Sequence, residues 1–182
     1  MRWFGFLRRR RGNGHDEWQR AWEHAVDGLD ESASSRLDAA LTARRAAGDD
    51  LEMEDEMLQA LHQVLALERE LARDVLPHIE TAHRVAAGER CHFSAPVAMP
   101  DDPAQPTGRL ILTAGRAAFA GAGRPPALPW HATRQVIRAG RDLIFVGAGA
   151  DDGFRFRCNS FPDALCGAAI ARHLMRAARV RL

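Results

Sequence analysis

GRLILTAGRAAFAG (108–121), continued by LPWHATRQVIRAGRDLIFVGAGADDGFRFRCNS (128–160) and FPDALCGAAIARHLMRAARVRL (161–182), is the stretch that decides the fold. Arg109 to Ala114 and Arg116 to Gly121 read as two strands about an Ala114-Gly115 turn. Leu128 to Trp130 reads as a short edge-like strand, and Arg134 to Ala139 and Leu143 to Gly147 as two more, joined through Arg141-Asp142. Asp152-Gly153 is the tight point of a turn, after which Phe154, Phe156 and Cys158 alternate with Arg155 and Arg157. Upstream, ERCHFSAPV (89–97) alternates in the same way, and the proline-rich acidic PDDPAQPTG (100–108) is a loop. Phe161-Pro162-Asp163 opens a helix with Leu165, Ala169, Ile170, His173, Leu174 and Ala177 on one face. The predicted class is α+β: over 88–182, a bent antiparallel sheet of six to seven strands capped by a C-terminal helix that plugs its open end.

Before residue 88 the period is helical. Trp18, Trp22, Ala25, Val26 and Leu29 make one apolar stripe, with Asp16 and Glu17 in its first turn. Ser32 to Ser35 interrupts; Leu37, Ala40 and Leu41 begin a second helix that ends near Gly48. Asp49 and Asp50 cap a third, whose stripe runs from Met57 through Leu58, Leu61, Val64, Leu65, Leu71, Val75 and Leu76 to Ile79, with a kink or break expected near Leu76 because of Pro77. The predicted organisation is therefore a basic aromatic tail over 1–14, set off by the turn-rich GNG and expected to be disordered, an acidic antiparallel helical region over 15–87, and the β domain over 88–182. The helical stripes read as core or packing surface, or as a homodimer interface through the long helix.

Charge is segregated along the chain. Residues 1–14 hold five Arg and no acid, residues 15–90 hold 18 acids against eight Arg, and residues 91–182 hold 12 Arg against six acids, giving +5, −10 and +6 within a total of +1. Such a chain either docks its basic parts on its own acidic part or offers them to an anionic partner. All 25 basic residues are Arg, the usage of a GC-rich bacterial genome. Cys91, Cys158 and Cys166 lack C-x-x-C spacing and fit a reducing cytoplasm. No apolar run reaches the length of a membrane span. In the tail, Trp3, Phe4, Phe6 and Leu7 stand beside Arg8, Arg9, Arg10 and Arg11; these eight are the membrane-contact candidates, shallowly inserting aromatics next to cations that an anionic leaflet attracts. A frayed end with no partner is the competing reading, and nucleic acid is disfavoured because no aromatics interleave the Arg run.

No run has the spacing of a nucleophile, a metal site or a phosphate loop, so no cofactor, metal or catalytic residue is predicted. Glu80-x-x-His83 with His78 is one half of a di-metal pattern without its mate. Cys91 and His92, adjacent on a strand, face opposite ways and make no pair. The dense acids Glu52, Glu54, Asp55 and Glu56 read as a solvated helix start, or as a latch for Arg8 to Arg11. GAGADDG (147–153) lies between strands, not between a strand and a helix, and is a turn. The candidate ligand-binding residues, for an anion or a lipid, are Arg134, Arg138, Arg155 and Arg157, with Arg109. Arg155 and Arg157 share a face, and Arg134 and Arg138 share parity if their strand runs unbroken. A solvated outer face, or a docking surface for the acidic helices, is the alternative.

The residues Gly108-Arg-Leu-Ile-Leu-Thr113, Arg116, Phe119, Leu128-Pro-Trp130, Val136, Gly140, Leu143, Phe154 and Phe156 before a terminal helix resemble the pleckstrin-homology-like superfold, particularly its GRAM branch, over roughly 89–180. That resemblance implies a seven-stranded, strongly bent sheet with a C-terminal helix, serving as a lipid- or protein-binding adaptor without catalysis. Family members that bind phosphoinositides use cations in and after the first inter-strand loop; here the loop is acidic, and Arg109 alone stands where such a cation is expected. The expected function is a non-catalytic cytoplasmic binding or adaptor protein, peripheral on the inner membrane face through its tail, with an anionic lipid surface or a protein as partner. Its rival is a protein-interaction or dimerisation module acting through the acidic helices, with no membrane role.

Overall fold

The computed structural model describes residues 4–86, 88–122, 127–149 and 153–180, with side chains from Gly14 onward except that of Val85. The chain forms two compact units, Met1–Leu65 and Ala66–Leu182. The membrane-contact candidates lie outside the described residues: Trp3 altogether, and Phe4, Phe6, Leu7 and Arg8 to Arg11 in their side chains.

The first unit is helical, with α1 at Phe4–Gly28 and α2 at Glu31–Ala46. The α3 helix, Glu52–Leu71, starts here and ends in the second unit. α1 runs through Gly12-Asn13-Gly14, where composition predicts a break. The break between α1 and α2 also differs from expectation. It falls at Leu29, whose φ is 50°, and Asp30, not at the serine run. Asp30 caps α2 by accepting from the backbone N–H groups of Ser32 (2.8 Å) and Ala33 (3.1 Å), which puts Ser32 to Ser35 inside the helix. At the other end of α2, Gly48 takes a φ of 82° and the Asp49 N–H reaches back to Arg44 O, so the helix stops where predicted. The apolar stripes meet as core: Trp22, Leu41, Met57 and Leu61 are fully buried. The indole Nε1–H of Trp22 donates to Met57 O at 2.6 Å and that of Trp18 to Leu37 O at 3.3 Å, so neither buried polar tip is left unpaired.

In the second unit α3 ends at Leu71, short of the predicted stripe. Asp74, with φ 59°, closes the helix, and Pro77 supplies no N–H to resume it. Beyond it, Ile79 bridges Cys91 and packs with Cys91, Ile111 and Ala86. One sheet of seven strands follows: β1 Cys91–Ala98, β2 Thr107–Thr113, β3 Arg116–Gly121, β4 Ala127–Pro129, β5 Thr133–Ala139, β6 Asp142–Gly147 and β7 Gly153–Cys158. Their order is β4-β3-β2-β1-β7-β6-β5 and every pairing is antiparallel. One face packs the core of Leu110, Leu112, Phe119, Trp130, Leu143, Phe145 and Phe156 against α4, Phe161–Val180. From α4, Arg172 Nε donates to Val136 O (3.2 Å) and Arg179 Nη2 to Thr133 O (3.3 Å) and Arg134 O (2.7 Å). Two arginines two helical turns apart thus occupy carbonyls of the edge strand β5, which an open sheet would otherwise present to other chains.

The β2–β3 hairpin is fixed by Glu89. Its carboxylate accepts from the Thr113 hydroxyl and the Gly115 N–H and pairs with Arg116 at 2.9 Å. In the same hairpin Gly108 and Gly121 face each other across the strands beneath the Phe119 ring. A Cβ at Gly108 would lie 2.4 Å from Ala120 O and 2.7 Å from Phe119 Cζ. Because backbone and a packed ring cannot step aside cheaply, Gly108→Ala is expected to cost about 2–3 kcal/mol. Faster amide exchange throughout β2 and β3 is the readout; wild-type protection would mean that Phe119 packs elsewhere.

Candidate functional site

Asp142 is the first residue of β6, just after the turn in which Gly140 takes a φ of 58°. Register sets it opposite Arg157 on β7, and Arg155 lies opposite Ile144 on the same face. Both guanidinium groups converge on this one carboxylate. Arg157 donates through Nε to Oδ1 (2.8 Å) and through Nη2 to Oδ2 (3.2 Å), and Arg155 through Nε (3.0 Å) and Nη2 (2.5 Å) to Oδ2. The Asp142 side chain is 9% exposed, whereas those of Arg155 and Arg157 are 36% and 56% exposed. The hydrogen bonds from Arg157 lead in holding the Asp142 carboxyl below the usual carboxylate range; burial opposes them, and Arg155 adds to them. Both arginines are pushed further up by the same carboxylate. A buried anion thus pins two half-exposed cations, which keeps them charged and preorganised.

Arg109 joins this face. It pairs with Pro96 across β1, while Ala98 of β1 pairs with Arg157, so Arg109, Arg155 and Arg157 project from the outer side of the sheet with β1 between them. Arg109 donates to Ser94 Oγ (2.9 Å) and Ser94 O (3.1 Å) and lines a cavity of about 480 Å³ with Ile79 to His83. The acidic first loop bears on the same place: Asp101 lies 3.3 Å from Arg155 Nη1 and is itself 65% exposed.

The other two candidates do not join them. Arg138 is in register with Leu143, which is in register with Phe156, so it stands on the core-facing side. β5 carries a register shift between Thr133 and Gln135, and the parity argument that grouped Arg134 with Arg138 fails at that bulge. Arg138 Nη1 donates to Gly140 O at 3.3 Å, and Arg134 is exposed with its carbonyl taken by Arg179.

Sequence reasoning missed two features. Glu54, expected in a solvated acid cluster, is 4% exposed. Burial pushes its carboxyl up, but hydrogen bonds from His15 Nδ1 (2.8 Å) and the pairing with Arg44 Nη2 (2.9 Å) outweigh that and hold it low. Its position three residues after Leu51 and four before Leu58, on the apolar stripe, was the available signal. Asp142 had no such signal, because only the strand register brings it to Arg157.

The surroundings of the three thiols disfavour the thiolate. Burial pushes Cys158 up to about 12 and Cys166 up to about 11, with the Asp163 charge adding to each, and it raises Cys91 as well. Among the described residues no His, Cys, Asp and Glu side chains gather as a metal site, and no helix is long and apolar enough to cross a membrane.

No family model matches this chain, and no curated protein matches it. Solved structures that are similar include the C-terminal domain of an unknown protein from Leishmania infantum, at 14% identity and TM-score 0.42, covering 60% of this chain and 96% of that one. The complex of the FERM and C-terminal domains of Drosophila Merlin is similar at 13% identity and TM-score 0.36, over 48% of this chain and 32% of that one. The complex of PDZ-RhoGEF DH/PH domains with GTP-gamma-S activated RhoA is similar at 12% identity and TM-score 0.44, over 90% of this chain and 54% of that one. These are loose likenesses of fold.

Proposed function

We propose that this protein is a non-catalytic binding or adaptor protein whose β unit is a pleckstrin-homology-like domain of the GRAM type, and that its outer sheet face holds anionic groups at a membrane surface. The observation that carries the reading is the pair Arg155 and Arg157, half-exposed and pinned by buried Asp142. Guanidinium groups held this way lose little side-chain freedom on meeting a phosphate. Asp101, exposed and on one rim of Arg155, is the group a phosphate would displace. The seven-stranded order with its C-terminal helix agrees with what the sequence resemblance implies, and the high thiol pKa values fit a unit without a cysteine nucleophile. The basic aromatic tail supplies a second contact, through Trp3 to Arg11, at the inner face of the membrane.

Sedimentation of the full chain with vesicles tests this. Binding is expected on vesicles containing phosphatidylserine and not on phosphatidylcholine alone, and it weakens as salt shortens the reach of charge from about 10 Å at 0.1 M to about 3 Å at 1 M. Equal binding to both compositions would remove the recognition of anionic groups, and binding to neither would remove the membrane role and leave the helical region as the interaction surface.

A further inference from the structure

Asp142 takes Nε and Nη2 of Arg155, and the third nitrogen of that guanidinium, Nη1, lies 3.3 Å from Oδ1 of Asp101 in the loop between β1 and β2. The loop closes on itself without using the Asp101 carboxylate. Met99 N–H donates to Pro106 O (3.1 Å), Gln105 N–H to Asp102 O (2.8 Å) and Ala104 N–H to the Asp102 carboxylate (2.8 Å). Asp102 therefore shapes the turn, while Asp101, 65% exposed, is left to reach the pinned pair. With Asp101 in place, Arg155 and Arg157 face two carboxylates, and the four groups carry no net charge. With it displaced, the remaining three carry one positive charge. The chain thus supplies its own anion at the edge of Arg155 that Asp142 leaves open.

We infer that Asp101 is a tethered competitor that regulates the outer face: the β1–β2 loop holds the arginine pair self-neutralised, and an anionic lipid headgroup binds in exchange for the Asp101 carboxylate. The inference rests on the reading of that face as the anion-holding surface and adds its control. While Asp101 is in place, the patch has no net charge to draw an anion from a distance, and Nη1 of Arg155 is occupied. Apparent affinity is then the intrinsic affinity reduced by the fraction of molecules in which Asp101 has left Arg155. The pair is partly exposed on both sides, so it is weak enough for a neighbouring anion to replace. A leaflet rich in anionic lipid displaces the loop, and a sparse one leaves it closed. The device is a threshold on surface charge, set by one side chain.

Sedimentation of the full chain with phosphatidylserine vesicles at low salt tests it, comparing wild type, Asp101→Asn, Asp102→Asn, Arg155→Gln and Asp101→Asn/Arg155→Gln. Asp102→Asn removes the same charge from the same loop, and its amide oxygen still accepts from Ala104, so it is the control for charge alone. Asp101→Asn is expected to tighten binding about threefold, and Asp102→Asn less than about 1.5-fold. In the Arg155→Gln background the gain from Asp101→Asn is expected to shrink to that of the control. Without vesicles, Asp101→Asn is expected to move the Arg155 side-chain Nε resonance, and an unmoved resonance would overturn the contact. Equal tightening by the two loop variants, or an undiminished gain without Arg155, would replace displacement by a bulk charge effect. Wild-type affinity in Asp101→Asn beside weakened binding in Arg155→Gln would overturn the inference and leave the anion-holding face intact. Wild-type affinity in Arg155→Gln would overturn that face and the inference with it.

Discussion

Trp130→Ala is expected to lower the stability of the β unit by about 4 kcal/mol, the upper range for deleting a fully buried aromatic. Trp130 is 1% exposed, its ring lies 6.4 Å from that of Phe145, and its indole Nε1–H donates to Thr113 O at 2.9 Å. Its backbone N–H donates to Gly115 O, so one residue ties the turn before β5 to the β2–β3 hairpin through both backbone and side chain. Trp130→Phe separates the contributions: it keeps most of the packing but leaves the Thr113 carbonyl unpaired, for a loss of about 1–2 kcal/mol. Amide exchange in β2 and β6 measures both, and an alanine variant with wild-type protection would remove Trp130 from the core.

Asp142→Ala is the second large effect. Removing the buried partner of an ion pair commonly costs about 3–5 kcal/mol, and because Arg155 and Arg157 keep access to water the expected loss here is about 2 kcal/mol. The pH dependence has a definite sign. The folded-state pKa of Asp142 is depressed, so its contribution is present in full above the unfolded carboxylate value of about 3.9 and is lost as pH falls through the lower folded value. Wild-type stability should therefore fall below about pH 4 more steeply than that of the variant, and parallel acid profiles would show that Asp142 does not hold the arginines.

The strands and the terminal helix were legible because a period of two and a period of 3.6 leave different traces in a sequence. Phe154, Phe156 and Cys158 alternating with Arg155 and Arg157 placed two cations on one face without any knowledge of neighbours. The bulge at Thr133 to Gln135 and the pairing of Asp142 with Arg157 are properties of register, which local pattern does not encode. That is why Arg138 is expected on the outer face and Arg134 in step with it, and why Asp142 was missed. The end of α3 was obscured by Val75, Leu76 and Ile79, which continue the helical spacing by coincidence. Leu76 packs on the core of the β unit and Ile79 beside Cys91 from extended backbone. Glu54 was misread because charge outweighed position, although its place on the apolar stripe pointed inward.

The most direct measurement is the partitioning of full-length Arg155→Gln/Arg157→Gln on phosphatidylserine vesicles, beside the wild type and a variant with Arg8 to Arg11 changed to Gln. If the outer sheet face recognises the anionic surface, the double variant loses about 2 kcal/mol of binding, on the scale of about 1 kcal/mol per surface Arg, while the tail variant keeps the sheet's share. A double variant that binds as tightly as the wild type would contradict that assignment and leave the tail as the sole anionic contact.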